Sequence, residues 1–216
     1  MQIKPYLPYI GIAAFALIVG LVAGYLNLEQ RSPDISSEPT TTIVLLRPGK
    51  PLPAFRLQGT DGMPFTPASL TGHWSLLYFG YTRCPASCRA TLVDLARMTA
   101  KLKALPAADR PQVYFISVDP AHDTLSGLKQ FVQHFDADFA AATGPLAQLG
   151  LLTAALGVDT ASPSSSQSDS DAVNHSSPLL VIDPEGKETA VFTPPLIPDR
   201  MVDDYRFILK LNGAQP

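Results

Sequence analysis

Cysteine is almost absent from this chain. Its 216 residues hold two, Cys84 and Cys88, both in one short motif. That scarcity excludes a disulfide-stapled scaffold and a cysteine-rich zinc module, and it marks the pair as a site rather than a framework. Blocks of lysine and arginine are also missing, and the formal net charge is -3. A reader of the phosphate backbone needs a basic face, so nucleic acid is not an expected partner. No Arg-rich, Ser-rich transit stretch stands ahead of the first apolar run, which favours a bacterial inner membrane over a mitochondrial one.

What is present begins with that run. Pro5 to Leu28 contains no charged residue, and Ile10 to Tyr25 is almost wholly apolar. A bilayer core is crossed by about 20 such residues in a helix, so a single membrane span is expected over 6–28, after a short cytoplasmic tail, 1–5. Lys4 precedes the run, while Glu29, Arg31 and Asp34 follow it, which places the remainder outside the cytoplasm, in the periplasm. The alternative is a cleaved signal peptide, disfavoured by the run's length and by the poor cleavage site near Val22-Ala23-Gly24. Residues 29–46 are rich in Ser, Thr and Pro and read as a linker. The globular domain is expected over 47–216, long enough to bury a real core.

Within the domain, Phe55, Leu57, Met63 and Phe65 flank Gly59-Thr60-Asp61-Gly62, the pattern of a hairpin. Ser75 to Phe79 reads as a buried strand that stops at Gly80. Leu92, Leu95, Met98, Leu102 and Leu105 recur at helical steps, and Pro106 ends that helix. Val113 to Val118 is a second strand, followed by a helix through Leu125, Leu128, Val132 and Phe135. A third helix, Leu146 to Leu156, ends at Gly157. The alternation of strand and helix implies an α/β fold with a parallel sheet covered on both faces. Residues 160–171 are low in complexity and read as a surface loop. Leu179 to Ile182 and Glu188 to Phe192 then form a closing hairpin, and Asp199 to Leu211 a last amphipathic helix.

The chemistry sits between the first strand and its helix. Pro85 suits the first helical position, leaving Cys84 just outside the helix and Cys88 four residues on, about 6 Å away between backbone positions. That separation suits a disulfide or one shared metal ion. The helix N-terminus, with Arg83 and Arg89, should favour the thiolate form. His73 and His134 read as exposed or half-buried, His122 as a surface residue, and Asp123 with Thr124 as the cap of the following helix.

The motifs FGYTRCPASC, ISVDPAHDT and NHSSPLLVIDPEG, in this order over about Pro48 to Leu211, resemble the Sco (SenC) proteins. That resemblance implies a thioredoxin-like fold with an N-terminal β-hairpin. It also implies copper ligation by Cys84, Cys88 and His175, and service to the copper-site subunit of a cytochrome c oxidase during assembly. The chain departs from the family in carrying Arg89 where proline usually follows the second cysteine, and His122 where arginine is common. Pro178 after the histidine and the Ser-rich loop before it depart as well. Soft Cu(I) is well matched to two thiolates and an imidazole, with binding of Cu(II) left open. A copper donor or a periplasmic thiol reductase would be further partners. Asp119 is expected to orient an imidazole. The rival reading is an enzyme, a thiol-disulfide oxidoreductase or peroxide-reducing protein using Cys84 and Cys88 as its redox pair. A sensor signalling through the membrane helix is a third.

Overall fold

The structure is a computed structural model that describes residues 43–84, 86–158 and 178–213. The expected tail, the membrane span, the Ser-rich stretch 160–171 and His175 lie outside these residues. Among the described residues no helix is long and apolar enough to cross a membrane.

Among the described residues eight strands form one mixed sheet, in the order β1 (Ile43–Pro51), β8 (Lys187–Phe192), β7 (Leu179–Ile182), β4 (Ser75–Gly80), β5 (Gln112–Ser117), β6 (Ala140–Thr143), β2 (Leu57–Gly59), β3 (Pro64–Phe65). The central pair is β4 (Ser75–Gly80) and β5 (Gln112–Ser117), parallel and in register from Ser75 opposite Gln112 to Gly80 opposite Ser117. On one side β6 (Ala140–Thr143) continues parallel to β5, and β2 (Leu57–Gly59) with β3 (Pro64–Phe65) adds the expected hairpin. On the other side β7 (Leu179–Ile182) and β8 (Lys187–Phe192) form the closing hairpin, antiparallel to β4. The edge beyond them is β1 (Ile43–Pro51), paired antiparallel with β8. Strand β1 therefore begins four residues inside the stretch assigned to the linker. The expected parallel sheet is confined to β4, β5 and β6.

The alternation of side chains on β4 explains the layers. Leu76 and Tyr78 point to one face, where they meet α1 (Ala86–Leu102) and α4 (Pro198–Leu211). Leu77 and Phe79 point to the other, where they meet Leu149 and Leu152 of α3 (Leu146–Leu156) and Phe55 beside the hairpin. A further helix, α2 (Leu125–Gln133), adds Leu128 and Val132 to the first core. Leu92, Leu95 and Met98 are fully buried, and each such side chain contributes about 1.5–3 kcal/mol of apolar transfer. Leu105 also reaches the core, but from the connection after α1, because the helix ends at Leu102 rather than Pro106. Trp74 closes this core at the start of β4 with its ring edge-on to Tyr205, centroids 6.0 Å apart.

Because β4 and β5 are parallel, the loops that leave their C-terminal ends lie side by side. Val118 donates its N–H to the Gly80 carbonyl at 2.9 Å, so the two loops stay joined past the last ladder bond. In open α/β sheets that edge is where ligands are usually handled.

Candidate metal and thiol site

Strand β4 is apolar on both faces and ends at Gly80 because nothing larger fits. A Cβ there would lie 2.8 Å from Phe115 Cε2 and 3.1 Å from the Cys88 sulfur. The chain then turns, with Cys84 N–H donating to the Tyr81 carbonyl at 3.2 Å, and α1 follows. Cys84 and Cys88 are joined as a disulfide, their Cα atoms 6.1 Å apart, as the spacing of four implies. Cys84 is buried and Cys88 half-buried.

Two carboxylates from the loop after β5 hold this turn. Asp123, 3% exposed, accepts the Thr82 N–H at 3.0 Å and the Thr82 hydroxyl at 2.5 Å. It also accepts the Ser117 hydroxyl at 2.6 Å. The expectation that Asp123 caps α2 is thereby corrected. Thr124 is the cap, its hydroxyl accepting the Gly127 N–H at 3.1 Å, and Asp123 turns back because Thr82 and Ser117 offer three donors in a buried place.

Asp119, 6% exposed, accepts the Arg83 guanidinium at 2.8 Å and the His122 Nδ1 at 2.7 Å. Burial pushes its carboxyl up, but the hydrogen bonds and charges of Arg83 and His122 outweigh that and hold it below the usual carboxylate range. The imidazole that Asp119 holds is His122, whereas the copper ligand's imidazole that it was expected to orient lies outside the described residues. The expected help from Arg83 to the thiolate is shared with this carboxylate. Arg89, by contrast, is exposed and has no partner among the described residues.

The structure therefore brings together Cys84, Cys88, Arg83, Asp119, His122 and Asp123. Sequence reasoning missed the bond from Thr82 to Asp123. Their positions lie 41 residues apart, and only the parallel pairing of β4 with β5 makes them neighbours. His73 and His134 stand apart from the cysteines in the roles expected of them, His73 half-buried against the Tyr114 hydroxyl and His134 exposed. Chemically, two sulfurs on one turn can exchange with another dithiol or, once reduced, offer two soft donors to one metal ion.

Comparison with known proteins gives this arrangement a lineage. A family model described as SCO1/SenC matches residues 47–210. A Stutzerimonas stutzeri protein that carries the provisional name of copper-binding protein is 33% identical over 144 residues, 67% of this chain and 70% of that one. The bovine mitochondrial SCO2 homolog is 29% identical over 139 residues, 64% of this chain, which spans only 52% of that longer protein. The crystal structure of Arabidopsis thaliana ScoI with copper bound shares the fold with a TM-score of 0.65 and 28% identity, covering 74% of this chain and 98% of that one. A structure of BsSco, a member of the Sco family of cytochrome c oxidase assembly proteins, has a TM-score of 0.61 at 22% identity, over 76% and 95% of the two chains. The fold is the thioredoxin-like α/β fold of these structures, and the chain belongs to the SCO1/SenC family.

Proposed function

We propose that this protein is a membrane-anchored copper carrier that holds one copper ion through Cys84, Cys88 and His175 and serves the copper-site subunit of a cytochrome c oxidase during assembly. The observation that carries the reading is the pairing of the two sulfurs on one turn, 6.1 Å apart at Cα, in a chain with no other cysteine. Copper is the cofactor that the family and the copper-bound ScoI structure support. Two thiolates and an imidazole form a soft, three-donor set suited to Cu(I). A third donor from outside the turn lets the ion be released by exchange with an acceptor. The two cysteines must first be reduced, taking two electrons and two protons from a dithiol partner, because the disulfide has no thiolate to offer.

The placement that goes with this reading is a single span over 6–28 in a bacterial inner membrane, with the domain in the periplasm. A second reading has one observation in its favour. The sulfurs are already bonded, and Cys88 is half-buried rather than sealed, which suits a thiol-disulfide exchanger acting on the oxidase subunit's own cysteines.

One titration separates the two. Cu(I) added to the reduced full-length chain against a competing chelator should bind tightly and one to one, and His175→Ala should weaken that binding at least tenfold. Weak binding, or binding indifferent to His175, would leave the dithiol as the function and reject the carrier.

A further inference from the structure

Beside the cysteine turn a groove opens between α1 and α2. Its first part, about 540 Å³, is walled by Thr82 and Arg89 on the cysteine side and by His122, Gln130 and Phe131 on the other. A hollow of about 370 Å³ shares His134 and Phe135 with it and continues along α1 past Val93, Ala96 and Ala100. From Arg89 to Ala100 a helix rises roughly 16 Å, which matches three helical turns of a docked segment or about five extended residues.

The floor is apolar. Phe131 and Phe135 meet edge to face, centroids 5.4 Å apart, and neither is fully buried. Val93 is 38% exposed, while its neighbours on the stripe, Leu92 and Leu95, are sealed. Ala96 and Ala100 keep the trough open where longer side chains would fill it.

The outermost groups at the cysteine end of the rim are Arg83, Arg89 and His122, although the chain as a whole carries a formal charge of -3. The carboxylates there are layered beneath them. Asp119 and Asp123 lie beneath the surface at 6% and 3% exposure, while Arg83 and His122, both 55% exposed, stand over them. Asp94 is answered by Arg97 at 3.2 Å, and the Asp136 carboxylate sits at the far end, 3.5 Å from the Thr99 hydroxyl. Arg89 projects at the cysteine end with no partner among the described residues. A molecule entering from that end meets N–H donors above an aromatic floor.

We infer that this groove is the docking surface for the protein partner of the dithiol, and that the partner presents an acidic segment carrying one or two apolar anchors. The anchors occupy the floor between Phe131, Phe135 and Val93, and the carboxylates face Arg89 and His122. Because Arg89 directly follows Cys88, a segment seated here brings its own end to the cysteines. The inference rests on the proposed reading of Cys84 and Cys88 as an exchange site and specifies which partners reach it. A purely electrostatic ligand has no use for the apolar floor, and a purely apolar one leaves Arg89 unanswered.

The test is selection of a random dodecapeptide library displayed on phage against the reduced full-length chain. Selected peptides are then measured by fluorescence anisotropy on the wild type and on the exposed-site variants Arg89→Glu and Val93→Gln. Lys103→Glu, in the turn just after α1 and outside the groove, is the control. Enrichment of Asp and Glu with Leu, Phe or similar anchors is expected. Binding should weaken at least fivefold in each groove variant and by less than twofold in the control. No enrichment, enrichment of basic peptides, or binding indifferent to both groove variants would overturn the inference. So would Arg89-dependent binding to phosphatidylglycerol vesicles with no acidic peptide selected, since the occupant would then be a lipid surface. The Cu(I) titration is run on the same samples. Intact copper binding with no acidic peptide rejects the groove alone, whereas peptide binding without copper binding rejects the carrier reading alone.

Discussion

Asp123 holds Thr82 twice, through the backbone N–H at 3.0 Å and the hydroxyl at 2.5 Å, and so ties the turn that carries Cys84 to the end of β5. The same carboxylate takes the Ser117 hydroxyl, making it the buried acceptor for three donors. Asp123→Ala should strand those donors and cost about 2–4 kcal/mol. For a domain of this size that lowers Tm by roughly 5–12 °C, read by thermal melting. An unchanged Tm would show that water takes over all three bonds.

Gly80 is required by space rather than by backbone conformation. An added methyl would lie 2.8 Å from the Phe115 ring and 3.1 Å from the Cys88 sulfur. Gly80→Ala is expected to destabilise by about 1–3 kcal/mol, as overpacking does. It should also slow re-formation of the Cys84–Cys88 bond by displacing one partner, which thiol quenching after reduction would follow. A variant that melts and reoxidises as the wild type would show that Phe115 gives way freely.

The Asp119 carboxyl titrates below its ordinary value because Arg83 and His122 outweigh its burial. A depressed carboxylate adds stability that is present above its unfolded value, near 3.8, and is lost as pH falls through the lower folded value. Asp119→Asn should therefore be less stable than the wild type at neutral pH, with the gap closing below pH 3.8. The gap should be modest, because both partners are 55% exposed and screened by solvent. Melting curves from pH 2 to 7 give the comparison, and a gap constant across that range would refute the assignment.

Glu188 behaves in the opposite sense. It is 2% exposed, and burial raises its carboxyl above the usual value of 4.5 against a smaller opposing pull from Lys50. The fold then favours the protonated form, so this group's contribution is full below 4.5 and declines as pH rises through the folded value. Glu188→Gln should melt higher than the wild type at pH 7 and approach it near pH 4. A variant that melts lower at pH 7 would mean that the ionised carboxylate is needed where it stands.

Much of the site is local and could be read directly. A strand that stops at a glycine, a turn, and two cysteines four apart on the start of a helix are encoded in fifteen consecutive residues, Trp74 to Cys88. The stripe of Leu92, Leu95 and Met98 is similarly self-contained, since helical periodicity needs no knowledge of the partner surface. Strand β6 was not legible. Its sequence, AAAT, has no strand preference, and it is extended only because β5 on one side and β2 on the other supply its hydrogen bonds. Strand β1 is concealed for a related reason, being a Pro-containing edge whose pairing with β8 joins segments about 140 residues apart.

By itself the sequence determined the chemistry available: one dithiol, the family motifs around it, and the order of strands and helices that builds a thioredoxin-like domain. The tertiary structure alone decided which groups meet that dithiol. Whether Asp123 capped its own helix or braced the cysteine turn depended on whether Thr82 and Ser117 came within reach, and that follows from β4 and β5 lying parallel and in register. Periodicity records the face that a residue turns toward the core. It carries no record of which distant loop arrives at the same edge of the sheet, because that contact is made by packing between segments with no local signal of each other.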